Sequence, residues 1–94
     1  MKLSITIGQW DELTHDQKNK LDDFGMKKDW QMDIGRAIWF LGDDLMTIDN
    51  LNQYEIWQVD MKNEALEPEQ FEDKELIDVL WECVKYKLKK YYEI

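Results

Sequence analysis

The sequence predicts an α+β fold: a single small domain, 1–94, of three to four helices with a β-hairpin and a long C-terminal helix as its spine. Three observations carry this. From Ile77 to Tyr91 the apolar residues Ile77, Trp81, Val84, Leu88 and Tyr91 step by four and three, which puts them on one helix face. Thr6-Ile7-Gly8-Gln9 and Thr14-His15-Asp16-Gln17 both have the Thr-x-x-Gln form of a capping box, in which the two side chains satisfy open amides at a helix start. Between Leu45 and Met61 the helical period fails and alternation replaces it.

The capping boxes predict two short helices, over 7–13 and 15–24, whose Trp10, Leu13, Leu21 and Phe24 face inward, with Gly25 as the left-handed stop of the second. Asp33 is placed to cap a third helix, in which Ile34, Ala37, Ile38 and Leu41 follow the i, i+3, i+4, i+7 pattern before Gly42, with Trp39 and Phe40 widening the apolar face. Met46 and Ile48, then Trp57, Val59 and Met61, alternate with polar residues around a polar Asp49–Gln53 turn, which reads as a hairpin. Pro68 and the acids Glu64, Glu67, Glu69 and Glu72 mark 64–72 as a surface connection. The last helix is expected from about Asp73 to Tyr92. Leu76, Leu80 and Cys83 broaden its stripe, acids lie at its start, and four lysines at its end complement the helix dipole. The expected core is Trp10, Leu13, Leu21, Phe24, Ile38, Leu41, Trp81, Val84 and Leu88, with Trp39 read as core too, because so short a chain buries little surface and needs large side chains.

Composition excludes several classes of function. One cysteine among 94 residues supports neither a disulfide framework nor a cysteine metal cluster, and suits a reducing cytoplasm. No apolar run approaches the roughly 20 residues of a membrane span, so no membrane association is expected. The net charge of −9 is uneven. Residues 1–28 balance to zero, 29–84 carry 15 acids against Arg36, Lys62 and Lys74, and the tail from Lys85 is net +3. Such a field repels phosphate, so direct nucleic-acid binding is not expected, whereas a basic partner surface would be attracted.

The chemistry-bearing residues have structural readings. The single histidine, His15, sits in a helix's first turn, where it is expected on the surface, and the single cysteine, Cys83, lies beside the apolar stripe of the last helix, where it serves as a small core residue. Asp43, Asp44, Asp49 and Asn50 lack the alternate spacing, central glycine and terminal glutamate of a calcium loop. No glycine loop for phosphates is present, and no carboxylate pair stands out among 21 acids. Arg36 is the one basic residue expected to point toward the inside. The chain is therefore read as a non-enzyme without cofactor or metal.

The runs Trp10-x-x-Leu13-x-x-x-Gln17-x-x-x-Leu21, Ile34-Gly35-x-x-Ile38-x-Phe40-Leu41-Gly42-Asp43-Asp44-Leu45 and Leu76-Ile77-Asp78-x-Leu80-Trp81-x-x-Val84-Lys85-Tyr86-Lys87-Leu88 span most of the chain. In them the protein resembles a group of short phage and prophage proteins of Gram-positive bacteria. The shared positions are caps and core residues, so the resemblance implies a shared fold and an origin inside an infected or lysogenic bacterium, and it brings no catalytic residues. Small acidic phage proteins include inhibitors of host enzymes, such as anti-CRISPR proteins and the uracil-DNA glycosylase inhibitor, that present carboxylates where phosphates are expected. The expected function is accordingly an anti-defence inhibitor, a DNA mimic that occupies a basic, nucleic-acid-handling surface such as that of a host nuclease. The expected partner-binding residues are Asp43, Asp44, Asp49, Glu55, Asp60, Glu67, Glu69, Glu72 and Asp73, with Tyr54 and Trp57 as aromatic anchors and Tyr92 as a further exposed candidate. The alternatives are a phage accessory protein whose acids only keep it soluble, and a small-ligand-binding anti-defence protein.

Overall fold

The local signals set the helix starts. In the computed structural model, which describes residues 1–62 and 68–94, Thr6 and Thr14 both form complete capping boxes with Gln9 and Gln17 and open α1 (Ile7–Trp10) and α2 (His15–Asp23). The Asp33 carboxylate accepts from the Arg36 amide at 2.8 Å and opens α3 (Ile34–Leu41). Gly25 at φ +83° and Gly42 at φ +53° supply the left-handed turns after α2 and α3, where a side chain would be strained. α1 is shorter than its predicted 7–13, yet Leu13 beyond it is still buried.

β1 (Leu45–Leu51) and β2 (Ile56–Met61) form the predicted hairpin, turned by Asn52–Tyr54 and by Glu55 at φ 55°. The expected surface connection is different. Glu69–Asp73 is a third strand, β3, antiparallel to β2 and giving a sheet in the order β1-β2-β3. Only Phe71 of its five residues is large and apolar, and one residue cannot establish a period. The rest of that segment, 63–67, lies outside the described residues.

α4 (Leu76–Lys90) follows β3, three residues later than its predicted start, and packs against β2 and β3 on one side and α3 on the other. Enclosed in this way, it buries Leu76, Ile77, Val79, Leu80, Trp81, Cys83, Val84 and Leu88, which makes it the centre of the core. Trp81 donates its indole N–H to Glu12 Oε1 at 3.0 Å, so the largest core side chain has its polar edge satisfied. The amino-terminal segment is tied to the start of α4, where Lys2 Nζ and Gln9 Nε2 both reach Asp78 Oδ1, at 2.6 and 2.8 Å.

The predicted core holds for Trp10, Leu13, Leu21, Leu41, Trp81, Val84 and Leu88, while Phe24 is half-buried. It fails on α3. Ile38 and Trp39 are exposed, 37% and 58%, and Ala37, Phe40 and Leu41 take the inner face. Arg36 is also exposed, contrary to its expected inward position. Tyr92, expected at the surface, is half-buried against the core, with Lys20 Nζ 4.5 Å from its ring centroid.

Candidate functional site

The sheet decides where the predicted contact residues go. Alternate residues of a strand point to opposite faces, so Val59 and Met61, buried on the α4 side, send Gln58 and Asp60 to the outer side. Register extends this across the sheet. Asp49 pairs with Gln58, which pairs with Glu72 on its other side, and Thr47 pairs with Asp60, which pairs with Gln70. The outer face is therefore two rows, Asp49-Gln58-Glu72 and Thr47-Asp60-Gln70, with Leu51 and Ile56 as an apolar corner beside them.

Three expected contacts, Asp49, Asp60 and Glu72, are thus brought together, one from each strand. Strands lie about 4.8 Å apart, which separates Asp49 and Glu72 by about 10 Å at the backbone. The Asp60 carboxylate is held in place by two neighbours, Thr47 Oγ1 donating to Oδ2 at 3.1 Å and Gln70 Nε2 to Oδ1 at 3.2 Å. None of the eight positions is basic, and no described lysine or arginine pairs with the three acids.

The remaining candidates divide. Tyr54, 65% exposed, and Glu55 lie in the hairpin turn at the end that carries Leu51 and Ile56. Trp57, the other expected anchor, lies on the same side of β2 as Val59 and packs half-buried against the core. Glu69 and Asp73 pair with Met61 and Trp57 and so sit on the helix side, where Asp73 Oδ1 accepts from the Glu75 amide at 3.3 Å. Asp44 serves the fold. Its carboxylate meets Lys87 Nζ at 2.9 Å, and the same ammonium donates to the carbonyls of Phe40 (2.7 Å) and Leu41 (3.2 Å), capping the end of α3 from within. Asp43 is exposed beside it, off the strands, and Glu67 lies outside the described residues. Sequence reasoning missed Leu51 and Ile56, which belong to the outer face only because of strand parity.

Elsewhere, an open groove of about 460 Å³ runs along α3, lined by Asp33, Gly35, Arg36 and Trp39. Its polar groups come from one helical turn, and the Asp33 carboxylate is already engaged as a cap. His15 is exposed at the start of α2. Cys83 is buried, and that burial, with the nearby charges of Glu82 and Asp60, pushes its thiol up to about 12, which keeps it protonated and unreactive at neutral pH. Among the described residues no group of three or more His, Cys, Asp or Glu side chains could hold a metal, and no helix is long and apolar enough to cross a membrane. No family, curated protein or solved structure matches the chain.

Proposed function

We propose that this protein is a non-enzymatic inhibitor of phage origin that binds a bacterial host protein through the outer face of its sheet, occupying a basic surface that otherwise holds nucleic acid. The observation that carries the reading is the outer face itself: one carboxylate from each of three strands, none neutralised by a described cation, next to Leu51, Ile56 and Tyr54. Fixed carboxylates on a rigid sheet attract a lysine- and arginine-lined groove without ordering cost at binding, and an apolar corner with an exposed tyrosine supplies the desolvated anchor that charge alone lacks. A defence nuclease fits this chemistry, since its groove is shaped for phosphates. The expected setting is the bacterial cytoplasm.

The test is a triple variant, Asp49→Asn, Asp60→Asn and Glu72→Gln, which removes charge but keeps size and hydrogen-bonding capacity. A tagged parent should capture a nucleic-acid-binding host protein, with an association rate that falls as salt screens the face over about 10 Å at 0.1 M. The variant should keep its melting temperature and lose the capture. Equal capture by parent and variant would remove the outer face from the binding site, and a parent that captures nothing would favour acids that serve solubility alone.

A further inference from the structure

The outward side of α3 holds residues that the core does not use. Ala37, Phe40 and Leu41 face inward, which leaves Gly35, Arg36 and Trp39 outside, where spacings of three and four make them neighbours on the helix surface. With Asp33 they line the groove of about 460 Å³. Arg36 is the only arginine of the chain, and its guanidinium pairs with no acid among the described residues; Nη1 lies instead 3.8 Å from where a Cβ on Gly25 would stand. Trp39 is 58% exposed, yet it is held by the Phe24 ring, 5.7 Å away between centroids and inclined at 76°. Gly35 has no positive φ, and a Cβ there would meet nothing closer than Asp33 Oδ1 at 3.7 Å. Glycine is less stable than alanine within a helix, so the fold loses by this choice, and bare backbone at position 35 serves only a group that approaches from outside.

We propose that this groove docks an extended peptide segment of a partner protein in which a carboxylate stands two residues from an aromatic side chain, the carboxylate on Arg36 and the ring on Trp39. Charge selects the carboxylate, since a planar guanidinium without a partner holds two oxygens at once. The single cation, with Asp33 beside it and a net charge of −9 around it, selects one carboxylate and disfavours phosphates and nucleic acid. Shape selects a peptide, because an open groove along one helix does not enclose the roughly 70–90% of a small ligand that its site must bury. Spacing selects the motif. Alternate residues of an extended segment point the same way about 6.6 Å apart, close to the roughly 5–6 Å between positions 36 and 39 of a helix, and the main chain between them passes over Gly35. The sheet lies beyond α4 from α3, so the groove is opposite the outer face, and the docking stands whether or not that face binds a host protein.

The probe is the blocked peptide acetyl-Gly-Glu-Ser-Phe-Gly-amide, titrated into the isotope-labelled full chain and followed by NMR. The amides of Gly35 and Arg36 and the Trp39 indole N–H should shift together and saturate with a Kd of about 0.5 mM. The same peptide with lysine in place of glutamate should bind about tenfold more weakly, whereas the net charge of −9 alone predicts that lysine wins. Arg36→Gln should remove the preference for glutamate, and Trp39→Ala should weaken both peptides about tenfold while keeping it. Arg36 is exposed and its side chain pairs with no described acid, so the melting temperature of Arg36→Gln should match the parent's. Gly35→Ala should raise the melting temperature and weaken the glutamate peptide, two effects of opposite benefit that a glycine kept for folding alone would not give. Lack of shifts at Gly35 and Trp39 up to about 5 mM peptide would overturn the proposal, as would a lysine peptide that binds as tightly as the glutamate one, or a Gly35→Ala variant that binds like the parent. Phenylacetate saturating the same signals at the peptide's own concentration would assign the groove to small acids and overturn the peptide reading as well.

Discussion

α3 and α4 both look like buried helices in sequence, but they bury very different shares of their surface. At 100° per residue the buried positions of α4, from Val79 through Leu88, cover about 200° of its circumference, while Ala37, Phe40 and Leu41 of α3 cover about 100°. Six of the eight residues of α3 are apolar, yet Trp39 and Ile38 face outward. The difference is one of neighbours. α4 has the sheet on one side and α3 on the other, whereas α3 is packed chiefly against α4. Apolar content states what a helix could bury; the number of layers around it states what it does bury.

The two tryptophans test that contrast most sharply. Trp81→Ala should cost about 3–5 kcal/mol in urea unfolding, most of the stability of so small a domain. Trp39→Ala removes a side chain of similar size but loses mainly its edge contact with Phe24, whose ring centroid is 5.7 Å away, and should cost about 0.5–1.5 kcal/mol. Equal losses would mean that α3 is as enclosed as α4.

Lys87 joins the two helices, and its ammonium is the chief polar link between them. Lys87→Met keeps the buried stem but deprives Phe40 and Leu41 of the donor to their carbonyls and Asp44 of its cation, which should cost about 1.5–3 kcal/mol. Hydrogen exchange should locate the damage. Protection should fall at the end of α3 and in the Gly42–Asp44 turn, with the middle of α4 little changed; a uniform loss would show that the two helices unfold as one unit.

A smaller effect belongs to the exposed rim of α4. The hydrogen bond from Trp81 lowers the Glu12 carboxyl below 4.5, with Lys85 contributing and partial burial opposing. A carboxyl lowered by folding stabilises the native state fully above its unfolded value, and that contribution is lost as pH falls through the folded value. Lys85 is the mirror case. Burial acts to lower it, but hydrogen bonds to Glu82 and Glu12 outweigh that and leave it above 10.5, so its contribution is present below that value and fades at more alkaline pH. Glu12→Ala should cost about 1 kcal/mol at neutral pH, the low end because water can replace so exposed a partner. Glu12→Gln keeps an acceptor for Trp81 and should lose less stability than the parent between about pH 5 and 3; an identical acid slope would show that Glu12 contributes nothing to it.

By itself the sequence determined the features encoded within a few residues. Thr6, Thr14 and Asp33 cap helices because the hydrogen bonds involved span three positions, Gly25 and Gly42 turn the chain because a positive φ is a property of one residue, and α4 was legible because fifteen residues sample its period four times. Only the tertiary structure decided which polar segment became β3, which side of α3 met the core, and that Asp49, Asp60 and Glu72 share a face while Trp57, Glu69 and Asp73 lie on the other. A strand has no hydrogen bonds of its own to announce it, so membership in the sheet, and with it the face each carboxylate occupies, depends on a partner distant in sequence and on the parity of the register between them.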